Sequence, residues 1–455
     1  MAEKLTPQQE RAVYNRGGKL LVSAAAGSGK TKVLVDRLLS YLMDPADPAD
    51  LDQFLIITYT KAAASELRGK IAQKLNQRIA EMPESRHLQR QMQRLYLTKI
   101  STVHSFCADI LREYAYAADI AADFRVADEN ECRQLRDMVM ESLLDEAYQS
   151  VDPDFLAFVD TQGLGRTDQL VGEIIEKVYN SALCHLDSEA WLDGCVENAR
   201  VTDLNDAAQT IWGRYLMEDL FAYLDRQIAS LEQCIRLGDC EELSKPVTLL
   251  RDTVFQLQYL RASQSWDEIV SRKHINYGTL TFPKKFPDKE LTERMKAVRN
   301  GCKDGLAKKL RAFADESAQV LQDLEQSTAA VRGMVDLVRQ FKNRYDTAKR
   351  HLRVMDFSDL EHRTLDLLLG KRRSGVTSAA HEIGSRYREI MVDEYQDSNA
   401  VQDAIYSALT VKRQNCFMVG DVKQSIYQFR LADPGIFLEK YASFVPAAEA
   451  KPGEG

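Results

Sequence analysis

The sequence has 455 residues, a hydrophobic fraction of 45% and a formal net charge of −8. That length predicts more than one domain. The acidic balance excludes a protein that coats nucleic acid through overall basic charge, though not one with a locally basic groove.

No apolar run reaches the ~18 residues of a membrane span. The start, Met-Ala-Glu-Lys-Leu-Thr-Pro, lacks a signal-peptide pattern. The eight cysteines contain no Cys-x-x-Cys pair. This argues against a zinc site or disulfide framework and for a cytoplasmic protein. Lys19-Leu-Leu-Val-Ser23 reads as a short strand. It enters a turn of small residues and then a helix with Val33, Leu34, Leu38 and Leu42 on one face. Asp44 to Asp50, with two prolines and three acids, is a loop. Phe54-Leu-Ile-Ile-Thr58 is a second strand, and Ile100–Val103 marks one end of a third. From 116 to 352 apolar residues recur at helical spacing and strand signals nearly vanish. Asp128 and Glu131 predict a capping box. The clearest helix covers 306–352, with Gly333 its one weak point.

After Asp356-Phe-Ser-Asp-Leu360 the strand-rich character returns. Ile390-Met-Val392 and Cys416-Phe-Met-Val419 are strands ending in Asp393-Glu394 and Gly420-Asp421. The expected organisation is one α/β domain with a single parallel sheet, split by a large all-helical insertion. Residues 1–115 and 353–445 would form the first, 116–352 the insertion, and 446–455 a linker tail.

Ala24-Ala25-Ala26-Gly27-Ser28-Gly29-Lys30-Thr31 joins the first strand to its helix. The phosphate-loop pattern is G-x-x-x-x-G-K-[ST]. Ala24 stands where the first Gly would, so the strict pattern fails by one methyl group. The mechanism survives: Gly27 and Gly29 let the backbone curl so that N–H groups point inward, and the helix N-terminus adds partial positive charge. Lys30 can reach the β- and γ-phosphates of ATP, and the Thr31 hydroxyl can bind Mg²⁺. Ligands of doubly wound sheets sit beyond the carboxyl ends of strands, where Asp393 and Glu394 also fall. Asp393 can then hold Mg²⁺ through water, and Glu394 can polarise the attacking water.

Gly27-Ser-Gly-Lys-Thr31, Asp393-Glu-Tyr-Gln-Asp397 and Gly420-Asp-Val-Lys-Gln-Ser-Ile-Tyr-Gln-Phe-Arg430 together resemble the motor of UvrD/RecB-type superfamily 1 DNA helicases. Leu5-Thr-Pro-Gln-Gln9 and Ser101-Thr-Val-His-Ser-Phe106 bring the wording closer to the AddA-type helicase/nuclease subunits within that family. The resemblance implies a RecA-like P-loop NTPase lobe that uses ATP and Mg²⁺ and moves 3′→5′ on DNA. It implies roles at matching positions. Gln9 would read the adenine edge, Gln424 would sense the γ-phosphate and the water, and Arg430 would lie near the phosphates. Thr58, Tyr59, Lys61, Thr102 and His104 would contact single-stranded DNA, with Tyr427 and Phe429 offering rings to bases. Such rings stack on any base, without sequence preference, and hydroxyls and imidazole donate to phosphate oxygens. Lys61 stands where the family usually has Asn. The partners implied by the resemblance are single-stranded DNA, duplex DNA ends and an AddB-like protein in a heterodimer. It places the second motor lobe and a nuclease domain beyond Tyr441, so this sequence is expected to be an N-terminal portion.

Between Arg272 and Arg311 twelve Lys/Arg stand against four acids, interleaved with Tyr277, Phe282 and Phe286. This segment is either an arm on duplex DNA or a solvated helix face beside a loop. Two rival functions stay open on the residues alone. One is a P-loop ATPase that does not move on DNA; the other is a DNA-binding module without turnover.

Overall fold

The computed structural model describes residues 5–25, 27–162, 169–201, 204–284, 286–424, 433–447 and 449. Its strands in chain order are β1 (Leu20–Ser23), β2 (Phe54–Thr58), β3 (Lys99–Thr102), β4 (Arg125–Val126), β5 (Val354–Met355), β6 (Glu389–Val392) and β7 (Cys416–Gly420). Five of them form one sheet in the order β1-β7-β6-β2-β3, and every pairing is parallel. Leu21 pairs with Met418, Met391 with Phe417, and Ile56 with Met391. The two strands from the C-terminal flank thus lie between β1 and β2, and neither flank builds the sheet alone. β4 and β5 pair separately, Arg125 opposite Val354.

Side chains alternate across each strand, with period two. Ile56, Met391 and Phe417 join Leu34 and Leu38 in one core. Leu55, Ile57, Ile390, Val392 and Met418 join Phe106, Leu365 and Leu409 in the other. A parallel sheet covered on both faces reads as near-continuous apolar runs, which is why these strands are visible in the sequence. The helix after β1 spans Lys30–Leu42, and Val33, Leu34, Leu38 and Leu42 are all buried.

Arg37 is buried with them. Its Nε donates to Glu389 Oε2 at 2.8 Å, and its Nη1 donates to the carbonyls of Ala12 and Asn15, each at 2.7 Å. The Tyr41 hydroxyl donates to Glu389 Oε1 at 3.0 Å. Glu389 opens β6, so this pair ties the N-terminal Pro7–Tyr14 helix and the phosphate-loop helix to the sheet.

The chain divides into two compact units. One takes in Met1–Asp145, Gly172–Trp191 and Val338–Gly455; the other takes in Glu146–Val171 and Leu192–Leu337. Among the described residues, every element between β4 and β5 is helical. Asp128 Oδ1 accepts the Glu131 N–H at 2.9 Å, as a helix cap should. The Glu131 carboxylate turns instead to Arg125, at 2.6 Å, so the reciprocal half of the box is spent elsewhere.

The single helix expected over 306–352 is two: Lys289–Lys309 and Ser317–Leu352, separated by the tight turn Leu310–Phe313. Tertiary partners take the backbone groups that continuation would have used. Lys273 Nζ donates to the carbonyls of Phe313 and Ala314, both at 2.8 Å. Trp266 Nε1 donates to the Asp315 carbonyl at 2.9 Å, and Asp267 Oδ1 accepts the Ser317 N–H at 2.6 Å. The apolar periodicity runs through this break and so hides it. Gly333 lies within the second helix, where a Cβ would come within 2.2 Å of the Asp154 carbonyl oxygen. It is there for a close backbone approach rather than as a fault in the helix.

Candidate nucleotide site and adjoining groove

The loop after β1 keeps its first residue in the sheet: the Ala24 N–H donates to the Gly420 carbonyl of β7 at 3.0 Å. Ala24 has an ordinary negative φ, whereas Gly27 (φ 74°) and Gly29 (φ 86°) are left-handed. Only the two glycines therefore need a missing Cβ, and Ala in place of the first Gly costs nothing locally. Gly29 caps the Lys30–Leu42 helix, whose N-terminus opens beside Lys30 and Thr31. Gln9 braces the loop. Its Nε2 donates to the Ser28 carbonyl at 3.0 Å, while its Oε1 accepts the Thr6 N–H at 3.0 Å.

The acids come from the end of β6. Glu394 is itself left-handed, at φ 51°, a conformation that costs a non-glycine residue about 1–2 kcal/mol. Strain of this kind is a pointer to a functional turn. Lys30 Nζ donates to Glu394 Oε2 at 2.8 Å, with Lys30 nearly buried. Asp393 Oδ1 accepts the Glu394 N–H at 3.0 Å. Burial, then the neighbouring Glu394 charge, pushes the Asp393 carboxyl up to about 6. Asp397 is pushed up to about 6 by the same two causes in the same order. Asp397 is buried and Asp393 partly so, and two carboxyls held above their ordinary range suit a cation beside them. Among the described residues no cluster of three or more His, Cys, Asp or Glu has metal-binding geometry. Thr31, at the start of the Lys30–Leu42 helix, and Asp393 are the residues of this site that could hold a Mg²⁺ together with phosphate oxygens.

A cavity of about 920 Å³ starts at Asp393 and Glu394 and extends over the ends of β2 and β3. Thr58, Tyr59, Lys61, Thr102, His104 and Phe357 line it. His104 Nε2 lies 2.9 Å from Glu361 Oε1, and its ring stacks on Phe357 with centroids 4.4 Å apart. Glu361 is buried, which alone would raise it. Hydrogen bonds from His104, Gln402 and Asn399 outweigh that and leave it below the usual carboxylate range. Phe357 is half exposed, at 51%, where it lines the groove.

The profile of the UvrD/REP helicase N-terminal domain matches residues 5–445. The chain belongs to the UvrD/REP helicase family. Among curated relatives, the A subunit of the ATP-dependent helicase/nuclease of Pelotomaculum thermopropionicum is 38% identical over 454 residues, covering 96% of this chain and 36% of the relative. The protein of the same name from Bacillus cytotoxicus is 35% identical over 454 residues, with the same coverage. That from Clostridium novyi is 32% identical over 464 residues, covering 98% of this chain and 37% of its own length. The chain thus spans little more than a third of the length of the curated relatives it matches.

Of the described motif residues, Lys30, Asp393 and Glu394 lie together, and several others have protein partners. Gln424 Nε2 donates to Asp421 Oδ2 at 2.5 Å. Thr58 is buried, and its hydroxyl donates to the Thr60 carbonyl at 3.1 Å. Thr102 caps the Val103–Glu113 helix through the Ser105 N–H at 3.3 Å. Lys61 is exposed at the start of the Lys61–Glu81 helix. Ala26, Tyr427, Phe429 and Arg430 lie outside the described residues. Sequence reasoning passed over Gln396, Glu361, Phe357 and Asn399. The signal for Gln396 was present, since it sits within the acidic motif; Glu361 lies in the Phe357–Leu369 helix and its partners Asn399 and Gln402 at the start of the Ala400–Thr410 helix, and neither helix carries a chemistry-bearing pattern.

Proposed function

We propose that this chain supplies the ATP-binding lobe of an ATP-dependent DNA helicase or translocase subunit. The whole protein moves 3′→5′ on one strand and works in a helicase–nuclease complex of double-strand-break repair, in the cytoplasm, beside an AddB-like partner. Residues 1–115 and 353–445 are the RecA-like lobe, 116–352 its helical insertion and 446–455 a linker. The observation that carries the reading is the Lys30–Glu394 contact at 2.8 Å, which joins the phosphate loop to the acidic motif beyond the carboxyl ends of β1 and β6. A groove lined by hydroxyls, an imidazole and rings adjoins that end of the sheet.

ATP would enter against the N–H groups of the Gly27–Lys30 loop and the helix N-terminus. Lys30 leaves Glu394 for the β- and γ-phosphates, because a polyphosphate offers more charge than one carboxylate. Glu394, released, orients the water in line with the γ-phosphorus. Bound Mg²⁺, held by Thr31 and Asp393, supplies charge neutralisation at the phosphates. Single-stranded DNA would lie in the groove, its phosphates on His104 and Lys61 and, once their hydroxyls give up their present partners, on Thr58 and Thr102, with a base against Tyr59; Tyr427 and Phe429 are proposed to offer further rings to bases. Arginine fingers from a second lobe are worth about 10³–10⁵ in rate. Residues 1–455 alone are therefore expected to bind ATP weakly and hydrolyse it slowly.

The test is steady-state ATPase of the full-length protein with and without single-stranded DNA. Stimulation by DNA that Lys30→Ala abolishes supports the reading. Turnover indifferent to DNA would favour a P-loop ATPase that does not move on it. DNA binding without turnover would favour a binding module.

A further inference from the structure

Gln396 is almost wholly buried, at 1% exposure, and lies in the turn Tyr395–Asp397 directly after the left-handed Glu394. Its carboxamide touches three groups. Nε2 donates to Glu394 Oε2 at 2.9 Å and to Asp397 Oδ2 at 3.2 Å. Oε1 accepts the Asp421 N–H at 2.9 Å. The amide cannot be flipped, because its oxygen would then face two carboxylates. A neutral group with two donors at one atom and an acceptor beside it is a carboxamide and nothing else among the side chains. Glutamate would put a third carboxylate against two, and an apolar residue of the same length would leave a buried N–H without a partner.

The neighbouring strand makes room for this link. β7 lies between β1, which carries the phosphate loop, and β6, which carries the acids. Its last residue, Gly420, has no side chain, and a Cβ there would stand 2.3 Å from Gln396 Oε1. Beyond Gly420 comes Asp421, which accepts from Gln424. A continuous chain of interactions therefore runs from Lys30 through Glu394, Gln396 and the Asp421 backbone to Gln424. Glu394 Oε2 receives both Lys30 and Gln396. When Lys30 moves to phosphate, Gln396 is the donor left to hold that oxygen and so to aim Oε1 at water.

We infer that Gln396 is a positioning residue: it holds Glu394 in register for water attack and fixes that register to the turn carrying Gln424. The inference rests on the proposed ATPase reading and deepens it. The experiment is nucleotide binding and steady-state ATPase of the full-length protein carrying Gln396→Met, Gln396→Asn or Glu394→Gln. Gln396→Met keeps the length of the side chain and removes its hydrogen bonds. It should lower kcat roughly 10- to 100-fold, the cost of a misplacement near 1 Å, while KM for ATP and nucleotide affinity hold. Gln396→Asn keeps the amide but draws it back by one methylene. It should fall between wild type and Gln396→Met, and it carries the test if Gln396→Met fails to fold. Wild-type kcat in both variants would overturn the inference. So would a fall in kcat matched by a rise in KM with Asn no better than Met, the mark of a merely structural role. Wild-type turnover in Glu394→Gln would instead overturn the ATPase reading of the site, separately from the part played by Gln396.

Discussion

Asp393→Asn should make the nucleotide-free protein more stable at neutral pH and less able to use Mg²⁺. Asp393 is pushed from its ordinary 3.8 up to about 6, by burial first and then by Glu394. At neutral pH it is ionised in both folded and unfolded chains, and the folded state bears the cost. About two pKa units correspond to about 3 kcal/mol, at 1.36 kcal/mol per unit. Between pH 4 and 6 the folded state binds more protons than the unfolded one, so this group's contribution to stability falls as pH rises through that window. Asparagine keeps the acceptor for the Glu394 N–H and carries no charge. Urea unfolding without nucleotide or divalent cation should therefore show Asp393→Asn stabilised by about 2–3 kcal/mol at pH 7.5, with the gain nearly gone at pH 4. The wild type should gain stability from ATP with Mg²⁺ that the variant does not. A variant that is less stable at pH 7.5, or a gain independent of pH, would refute the argument that burial strains this carboxylate.

Arg37→Met should destabilise the protein by about 3–5 kcal/mol, because it strands Glu389 as a buried charge; adding Glu389→Gln should recover a large part of that loss in urea unfolding. Gly333→Ala would raise helix propensity by about 1 kcal/mol in an exposed helix, but here it should lower the melting temperature, because its Cβ would meet the Asp154 carbonyl at 2.2 Å. Replacing Lys284, Lys285 and Lys289 together with Gln should weaken binding to duplex ends and lower the log–log salt slope by about 0.9 for each phosphate no longer neutralised. An unchanged slope would mean that those lysines only solvate the surface.

The inner strands β2, β6 and β7 were legible because they are buried on both faces and so read as short apolar runs. Phe54–Thr58 and Cys416–Gly420 are wholly buried. Strand order was not legible in the same way, since β6 and β7 insert between β1 and β2 and no local pattern encodes which neighbours pair. The phosphate loop and the acids could be read because their chemistry needs rare residue combinations in a fixed order. Gln396 could not be weighed, since its meaning lies in three partners, two of them acids beside it and the third a backbone N–H 25 positions away. The break at Leu310–Phe313 was hidden for the opposite reason. Its apolar spacing is helical throughout, and the capping groups that end the helix, Lys273, Trp266 and Asp267, lie about forty to fifty residues upstream. In the basic segment, too, composition alone misleads: Lys273 is spent on carbonyls and Arg299 on those of Tyr277 and Gly278.

The proposal that Lys30 and Glu394 form one hydrolytic site answering to DNA in the adjoining groove is tested most directly by the ATPase rate of the full-length protein with Glu394→Gln, measured with and without single-stranded DNA beside nucleotide affinity. Nucleotide should still bind, turnover should fall by about 10²-fold or more as expected for loss of a catalytic base, and DNA should no longer stimulate. Near-normal, DNA-stimulated turnover in this variant would contradict the proposal.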